Sequence, residues 1–348
     1  MLAIALGASA SGPPTAGDAS VSTILGDGTP GYSDRQVNNP YGLAIGPDGA
    51  LYFCDLDNQR IRHLDLKTKK LTTIAGSGER GYRGDGGPAV DAALNMPHEI
   101  QFDPAGNIYV AERDNHVIRK IDHTSGIIST VAGTGVAGFA GDDGPGAKAQ
   151  LRQPHSVAID RDGSLLICDI GNHRIRRLDL ETGTITTYAG TGEAKPTPDG
   201  APLAGTPLNG PRTIAFAPNG DLFLALREGN AIYRIDRATK TLHHIAGTGE
   251  QGYSGDGGPA VRAKLGAPKG LTYASDGSLY AADTENHVVR RIDLKTGTIT
   301  TVLGTGQRGD GPESDPLACR LSRPHGVLYS NGTLYVSDSE SHRIRVVR

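Results

Sequence analysis

Apolar and polar residues alternate along this chain in short runs, and tight-turn residues separate the runs. Residues 156–189 show the pattern. Ser156-Val157-Ala158-Ile159-Asp160 reads as a strand, and Arg161-Asp162-Gly163 turns the chain into Leu165-Leu166-Ile167-Cys168. The short loop Asp169-Ile170-Gly171-Asn172 leads to Arg174-Ile175-Arg176-Arg177-Leu178, and Glu181-Thr182-Gly183 turns into Ile185-Thr186-Thr187-Tyr188-Ala189. Asp-Gly and Thr-Gly pairs between β-rich runs are hairpin signals because glycine accepts positive φ at no steric cost. The stretch predicts four antiparallel strands.

The pattern recurs at a fixed period. The first glycine of an Ala-Gly-Thr-Gly-like segment falls at Gly26, Gly76, Gly133, Gly190, Gly247 and Gly304. The residue after a proline at the start of each first strand falls at Tyr41, His98, His155, Arg212, Lys269 and His325. Such self-similarity marks an array of supersecondary units. Six four-stranded units with no long helix between them predict an all-β, six-bladed β-propeller over residues 21–348. Arg343-Ile344-Arg345-Val346-Val347-Arg348 aligns with third strands and Val21-Ser22-Thr23-Ile24-Leu25 with fourth strands. The N-terminal strand should therefore complete the last blade, closing the ring and removing an exposed sheet edge.

Composition narrows the function classes. A net charge of −3 over 348 residues, with 21% charged, gives no field that would gather nucleic acid or an anionic membrane. No apolar run is long enough to span a bilayer. Residues 1–20 form a separate lead: an apolar run followed by Ala8-Ser9-Ala10 has the form of a secretory signal, although no Lys or Arg precedes it. That favours export, to the periplasm or outside the cell, over an Ala/Gly-rich disordered lead. Cys54 and Cys168 hold equivalent positions two units apart, too distant for the ~5.5 Å Cα separation of a disulfide, so free thiols are expected.

Strand direction sets which residues share a face. The start of each first strand, the end of the second and the loop into the third lie together at the top, where the long connection between blades also arrives. Nearest the axis is the ring Tyr41, His98, His155, Arg212, Lys269, His325. Asp55, Glu112, Asp169, Leu226, Asp283 and Asp338 end the second strands. The inserts, such as Gly81–Pro88, should lie above this face and include a helical turn that Pro88 opens, with Val90, Ala93 and Leu94 on one side.

Comparison between units separates scaffold from site. His116, His173, His287 and His342 recur in an Asn-His-x-Ile-Arg-like stretch and read as loop braces. The repeated acids read as acceptors of loop N–H groups. Asp85, Asp142 and Asp256, one to each Gly-Asp-Gly-like loop, supply too few oxygens for calcium and read as turn residues. The ring position differs in changing from blade to blade, with His, Arg or Lys at five of six places. Blade 4 departs most: Leu226 replaces the acid, Arg227 follows, and the insert at 195–210 is rewritten. Broken symmetry on one face of a repeat protein points to a shaped site.

Repeats such as GYRGDGGPAVDAALNMPHEIQFDPAGNIYVAERDNHVIRKID (81–122) resemble NHL repeats of the long bacterial and teneurin-like kind. The resemblance covers about residues 21–348 and is specific for fold; the family includes enzymes, RNA binders and interaction modules. Two readings stay open. In the first, a basic ring at the channel mouth binds an anionic small molecule, an envelope glycan, a peptide or a protein partner, through Tyr41, Arg212, Lys269, Arg227 and His325. In the second, similarity to NHL-type lyases implies a metal-dependent lyase or hydrolase. There His98, His155 and His325, with Glu112 and Asp169, would hold zinc or a similar divalent ion, and His98, His155 and Arg212 would act on the substrate. The simple alternative for each ring histidine is a strand cap. RNA binding lacks a basic excess and an aromatic platform. A closed ring exposes no strand edge that forces oligomerisation, so a monomer is expected.

Overall fold

A computed structural model describes residues 19–348. The signal-like stretch, Met1 to Gly12, lies outside the described residues. The chain forms six sheets of four or five antiparallel strands, one per blade. Blade 3 is built from Pro154–Ile159, Leu165–Asp169, Arg174–Leu178 and Thr184–Ala189, matching the hydrophobic runs of the sequence. Among the described residues no helix is long and apolar enough to cross a membrane.

The ring closes as the sequence predicts. Val21–Leu25 pairs antiparallel with Arg343–Val347, placing Val21 opposite Val347 and Thr23 opposite Arg345. Ser20 extends the pairing, since its N–H reaches the carbonyl of Arg348 at 2.8 Å. The apolar core lies between blades. Leu166 and Cys168 of blade 3 pack with Leu224, Leu226 and Tyr233 of blade 4, and the other contacts repeat this interleaving. Cys54, Cys168 and Cys319 are free and buried, serving as small core residues.

The inserts begin at the top face, where the Gly81 carbonyl accepts from Asn115 in the loop into the third strand, but they do not stay above it; they run down the rim and tie neighbouring blades together. Ala89 accepts from Gly76 N–H at the end of blade 1 and donates to the Gly126 carbonyl beside the outer strand of blade 2. Gly146 and Ala260 do the same for the next pairs of outer strands, with Gly133 and Gly183, and with Gly247 and Gly297. In blades 3 and 4 the insert adds a short fifth strand, Gly144–Pro145 and Ala201–Pro202, that covers the outer edge. Pro88 caps a single 3-10 turn, Ala89–Asp91, after which the chain is extended. One turn is too short for a helical stripe, so Val90 is exposed while Ala89, Ala92, Ala93 and Leu94 are buried.

Candidate functional site

Each first strand opens with a β-bulge at the ring position. Pro154 pairs with Asp169 and Ser156 with Cys168, so His155 has no partner across the ladder. The bulge recurs in all six blades. A bulge re-aims a side chain, and here it turns the ring residue onto the axis. Two residues earlier the chain is left-handed in every blade: Asn39, Met96, Gln153, Gly210, Ala267 and Arg323 all have positive φ.

That left-handed residue is a junction. Its N–H is taken by a side chain of the preceding blade: Gln153 donates to His116 Nδ1 at 3.0 Å, Gly210 to His173 at 3.2 Å, Arg323 to His287 at 3.1 Å and Asn39 to His342 at 3.1 Å. The loop-brace reading of these histidines holds, and Gln59 and Asn230 do the same work on Met96 and Ala267. Its carbonyl accepts Nδ1–H of the ring histidine, from Met96 to His98 at 3.1 Å, Gln153 to His155 at 2.8 Å and Arg323 to His325 at 2.8 Å. This fixes each ring imidazole as the Nδ1–H tautomer, with Nε2 left as the acceptor.

The ring plugs the channel instead of framing an open mouth. Its members are between 2% exposed, at Arg212, and 9%, at Tyr41. Tyr41 stacks on His325 with centroids 3.9 Å apart and meets His98 edge-on at 4.8 Å, and His98 meets His155 edge-on at 4.6 Å. Lys269 Nζ lies 2.9 Å from His325 Nε2 and 3.3 Å from Glu285.

Burial decides the charge state. Desolvation holds all three histidines well below the usual imidazole range, with Arg212 adding to the effect, so they are neutral. Burial brings Lys269 down to about 7 and pushes Tyr41 up to about 12. The sequence makes the ring basic at five positions; the structure leaves Arg212 as its permanent charge, with Lys269 poised near neutrality.

Sequence reasoning missed Glu99. The residue after each ring residue forms a second layer: Gly42, Glu99, Ser156, Thr213, Gly270 and Gly326. Glu99, Ser156 and Thr213, with Gln101 and Thr272, line a cavity of about 300 Å³ along the axis. A Cβ at Gly42 would sit 2.6 Å from Glu99 Oε1, so glycine there makes room for the carboxylate. Burial raises Glu99 to about 7. Its nearest cation is Arg212, whose Nη1 is 4.0 Å from Oε2, beyond hydrogen-bond reach. Arg212 Nε and Nη1 are buried without a partner among the described residues.

The acids at the ends of the second strands serve the blades. Glu112 accepts from Asn95 N–H, Asn115 Nδ2 and Arg119, and Asp169 accepts from Arg152 N–H and Asn172, with Arg176 Nη1 at 3.5 Å. Both carboxylates are fully buried. The arginines also bind the insert acids, Arg119 to Asp85 and Arg176 to Asp142, and Tyr82 and Phe139 cover them from outside. A metal set of histidines with Glu112 and Asp169 is therefore not brought together. His325 Nε2 faces Lys269, and among the described residues no three His, Cys, Asp or Glu side chains are grouped to hold an ion. Of the three ring histidines, His98 and His155 keep Nε2 without a hydrogen-bond partner among the described residues. Blade 4 lacks the buried pair altogether: Leu226 and Tyr233 stand where the other blades have acid and arginine. Beside it a cavity of about 380 Å³ is lined by Arg227, Lys269, Glu285 and Arg323, which joins two of the expected ligand-binding residues.

The comparisons match this architecture. The Teneurin NHL domain model matches residues 239–324, and the NHL repeat model matches 151–178 and 321–347. The chain is 29% identical over 302 residues to Protein SUPPRESSOR OF QUENCHING 1 of Arabidopsis thaliana, covering 84% of this chain and 28% of that protein. It is 30% identical over 289 residues to NHL repeat-containing protein 2 of Bos taurus, covering 74% of this chain and 39% of that one. The chain thus spans less than half the length of these relatives. Among solved structures, an auxiliary nutrient binding protein of Bacteroides thetaiotaomicron superposes with a TM-score of 0.68 at 17% identity, covering 95% of this chain and 76% of the other. Period, six closed blades and these matches agree: the chain belongs to the NHL-repeat family, as a six-bladed β-propeller.

Proposed function

We propose that this propeller is a binding module that takes a small anionic group at the axial ring. A carboxylate, uronate or phosphate would fit, free or as part of an envelope glycan, a peptide or a partner protein. The observation that carries the reading is Arg212. A buried guanidinium with two unpartnered nitrogens is costly to maintain, and an anion is the partner that would satisfy it. Arg227 and Lys269 extend the positive field towards the blade 4 side. Titration calorimetry with a uronate, a dicarboxylate and inorganic phosphate tests this. Binding of at least one should fall about 10- to 100-fold in Arg212→Met, as expected for a lost charged hydrogen bond. Equal binding by wild type and variant would remove the reading.

A second reading, metal-assisted lyase or hydrolase chemistry, has one observation in its favour: His98 and His155 adjoin, each with Nδ1 fixed by a carbonyl and Nε2 without a partner. Two imidazoles are fewer than the three protein ligands of a catalytic zinc site. Elemental mass spectrometry on untagged protein, beside His98→Ala/His155→Ala, decides it. Near-stoichiometric metal that vanishes in the double variant would favour the enzyme.

A further inference from the structure

We propose that Lys269 captures the carbonyl carbon of a small oxo acid as an imine, with His325 as its proton partner. This rests on the anion-binding reading above and names a ligand class for it.

Three features where blades 4, 5 and 6 meet support the step. The amine is buried, with a side chain 6% exposed, yet it lines the cavity of about 380 Å³ and can be reached from there. His325 Nε2 is 2.9 Å from Nζ, and the Arg323 carbonyl holds the other nitrogen as N–H, so Nε2 faces the amine as an acceptor. Glu285, the one carboxylate near the amine, is already taken by Arg323 through Nε at 3.0 Å and Nη2 at 2.6 Å. It offers Lys269 only a longer contact of 3.3 Å. Burial is the largest cause discharging the amine and Arg323 the next; Glu285 opposes them, and Arg212 and Arg227 add smaller pushes in the same direction as burial. A lysine in such surroundings is a nucleophile at neutral pH.

The chemistry balances without a further reagent. The amine lone pair attacks the carbonyl carbon, a C–N bond forms, and the C=O π pair moves to oxygen. His325 Nε2 takes the N–H proton and returns it to that oxygen, giving a carbinolamine. His325 Nε2 then takes the remaining N–H proton of the carbinolamine and delivers it to the hydroxyl, which leaves as water while the nitrogen lone pair forms the C=N bond of the neutral imine. Arg227 at the cavity wall pairs through Nε with Glu228 at 2.9 Å, leaving its terminal nitrogens to hold the carboxylate of the same ligand.

Pyruvate with cyanoborohydride is the probe, read by peptide mapping of the reduced N-carboxyethyl adduct. Lys269 should be labelled ahead of exposed lysines such as Lys67, Lys195 and Lys295, and His325→Gln should slow its labelling on the order of a hundredfold. Lys269→Met, which keeps the length of the side chain and adds no buried charge, should lose the adduct and keep the melting temperature. Adducts spread over exposed lysines with Lys269 untouched would overturn the proposal. Lactate, which has the carboxylate and no carbonyl, separates the two readings. If lactate binds and pyruvate leaves no adduct on Lys269, imine capture fails and anion binding stands. If Lys269 is labelled and lactate neither binds nor protects, the lysine chemistry stands and the anion reading fails.

Discussion

Leu226 and Tyr233, seven residues apart on adjacent strands of blade 4, occupy together the two places where the other five blades keep a carboxylate and an arginine. The pairs elsewhere are Asp55–Arg62, Glu112–Arg119, Asp169–Arg176, Asp283–Arg290 and Asp338–Arg345. Blade 4 thus shows that the blade tolerates losing both charges at once. Tyr233 fills the space with a ring whose hydroxyl donates to the Thr197 carbonyl.

The stability consequence can be measured in blade 2. Arg119→Ala strands Glu112 as an unpaired buried carboxylate and should cost about 3–5 kcal/mol, whereas an apolar replacement of both partners can be nearly neutral. Glu112→Leu/Arg119→Tyr, copying blade 4, should therefore recover most of the loss in urea denaturation. A double variant as unstable as Arg119→Ala would show that the blade 4 solution depends on its own rewritten insert.

The histidine brace yields a second test. His116→Ala leaves Gln153 N–H without its acceptor and should cost about 1–3 kcal/mol. His116→Asn should cost less, since Asn230 makes the same contact in blade 4. Protonation removes the Nδ1 acceptor as mutation does. Burial is the main cause holding His116, His287 and His342 below the ordinary imidazole value, so the unfolded chain binds their protons first. Stability should fall as pH drops below about 6.5, the ordinary value for unfolded histidine. Comparing wild type with His116→Asn isolates the histidine contribution, because other titrating groups cancel in the difference. A stability slope from pH 7 to 5 that the substitution leaves unchanged would contradict this.

Glu99 acts in the opposite sense. Its folded value is raised to about 7, so the folded state binds the proton more tightly than the unfolded chain. The cost of its ionisation is absent below about 4.5, grows as pH rises towards 7, and is complete above that. Glu99→Gln should remove this slope and stabilise the protein at pH 8 by up to about 3 kcal/mol. The denaturation midpoint against pH for variant and wild type checks it: identical slopes between pH 4.5 and 7 would mean Glu99 ionises freely.

Much of this architecture was readable in the residues because a repeat exposes its own alignment. The period fixed six blades, and the fragment strands at either end predicted closure. The invariance of His116 and its counterparts marked them as scaffold, as their hydrogen bonds confirm. The ring was harder. Its position followed from strand direction, but its burial depends on a bulge and a left-handed residue that no composition signals: Met96, Gln153 and Arg323 carry positive φ without being glycine. Burial in turn neutralises the histidines, so charge counted from the sequence overstates the field. Glu99 had a signal that went unused, since its column holds three glycines, one serine and one threonine beside a single acid. The insert path was misjudged because length says nothing of direction, and only the pairing with outer strands places it on the rim.

The last blade joins residues separated by almost the whole described chain, with Val21 held opposite Val347. During synthesis Val21–Leu25 must wait for five blades and three further strands before its partner exists. Contacts of such sequence separation form slowly, because chain entropy is lost before the pairing compensates. Until then blade 6 presents an unpaired edge and Val21–Leu25 a loose β-strand, the two halves of a strand exchange between neighbouring chains. The seam that makes the ring stable is thus also where its assembly is most exposed to going wrong.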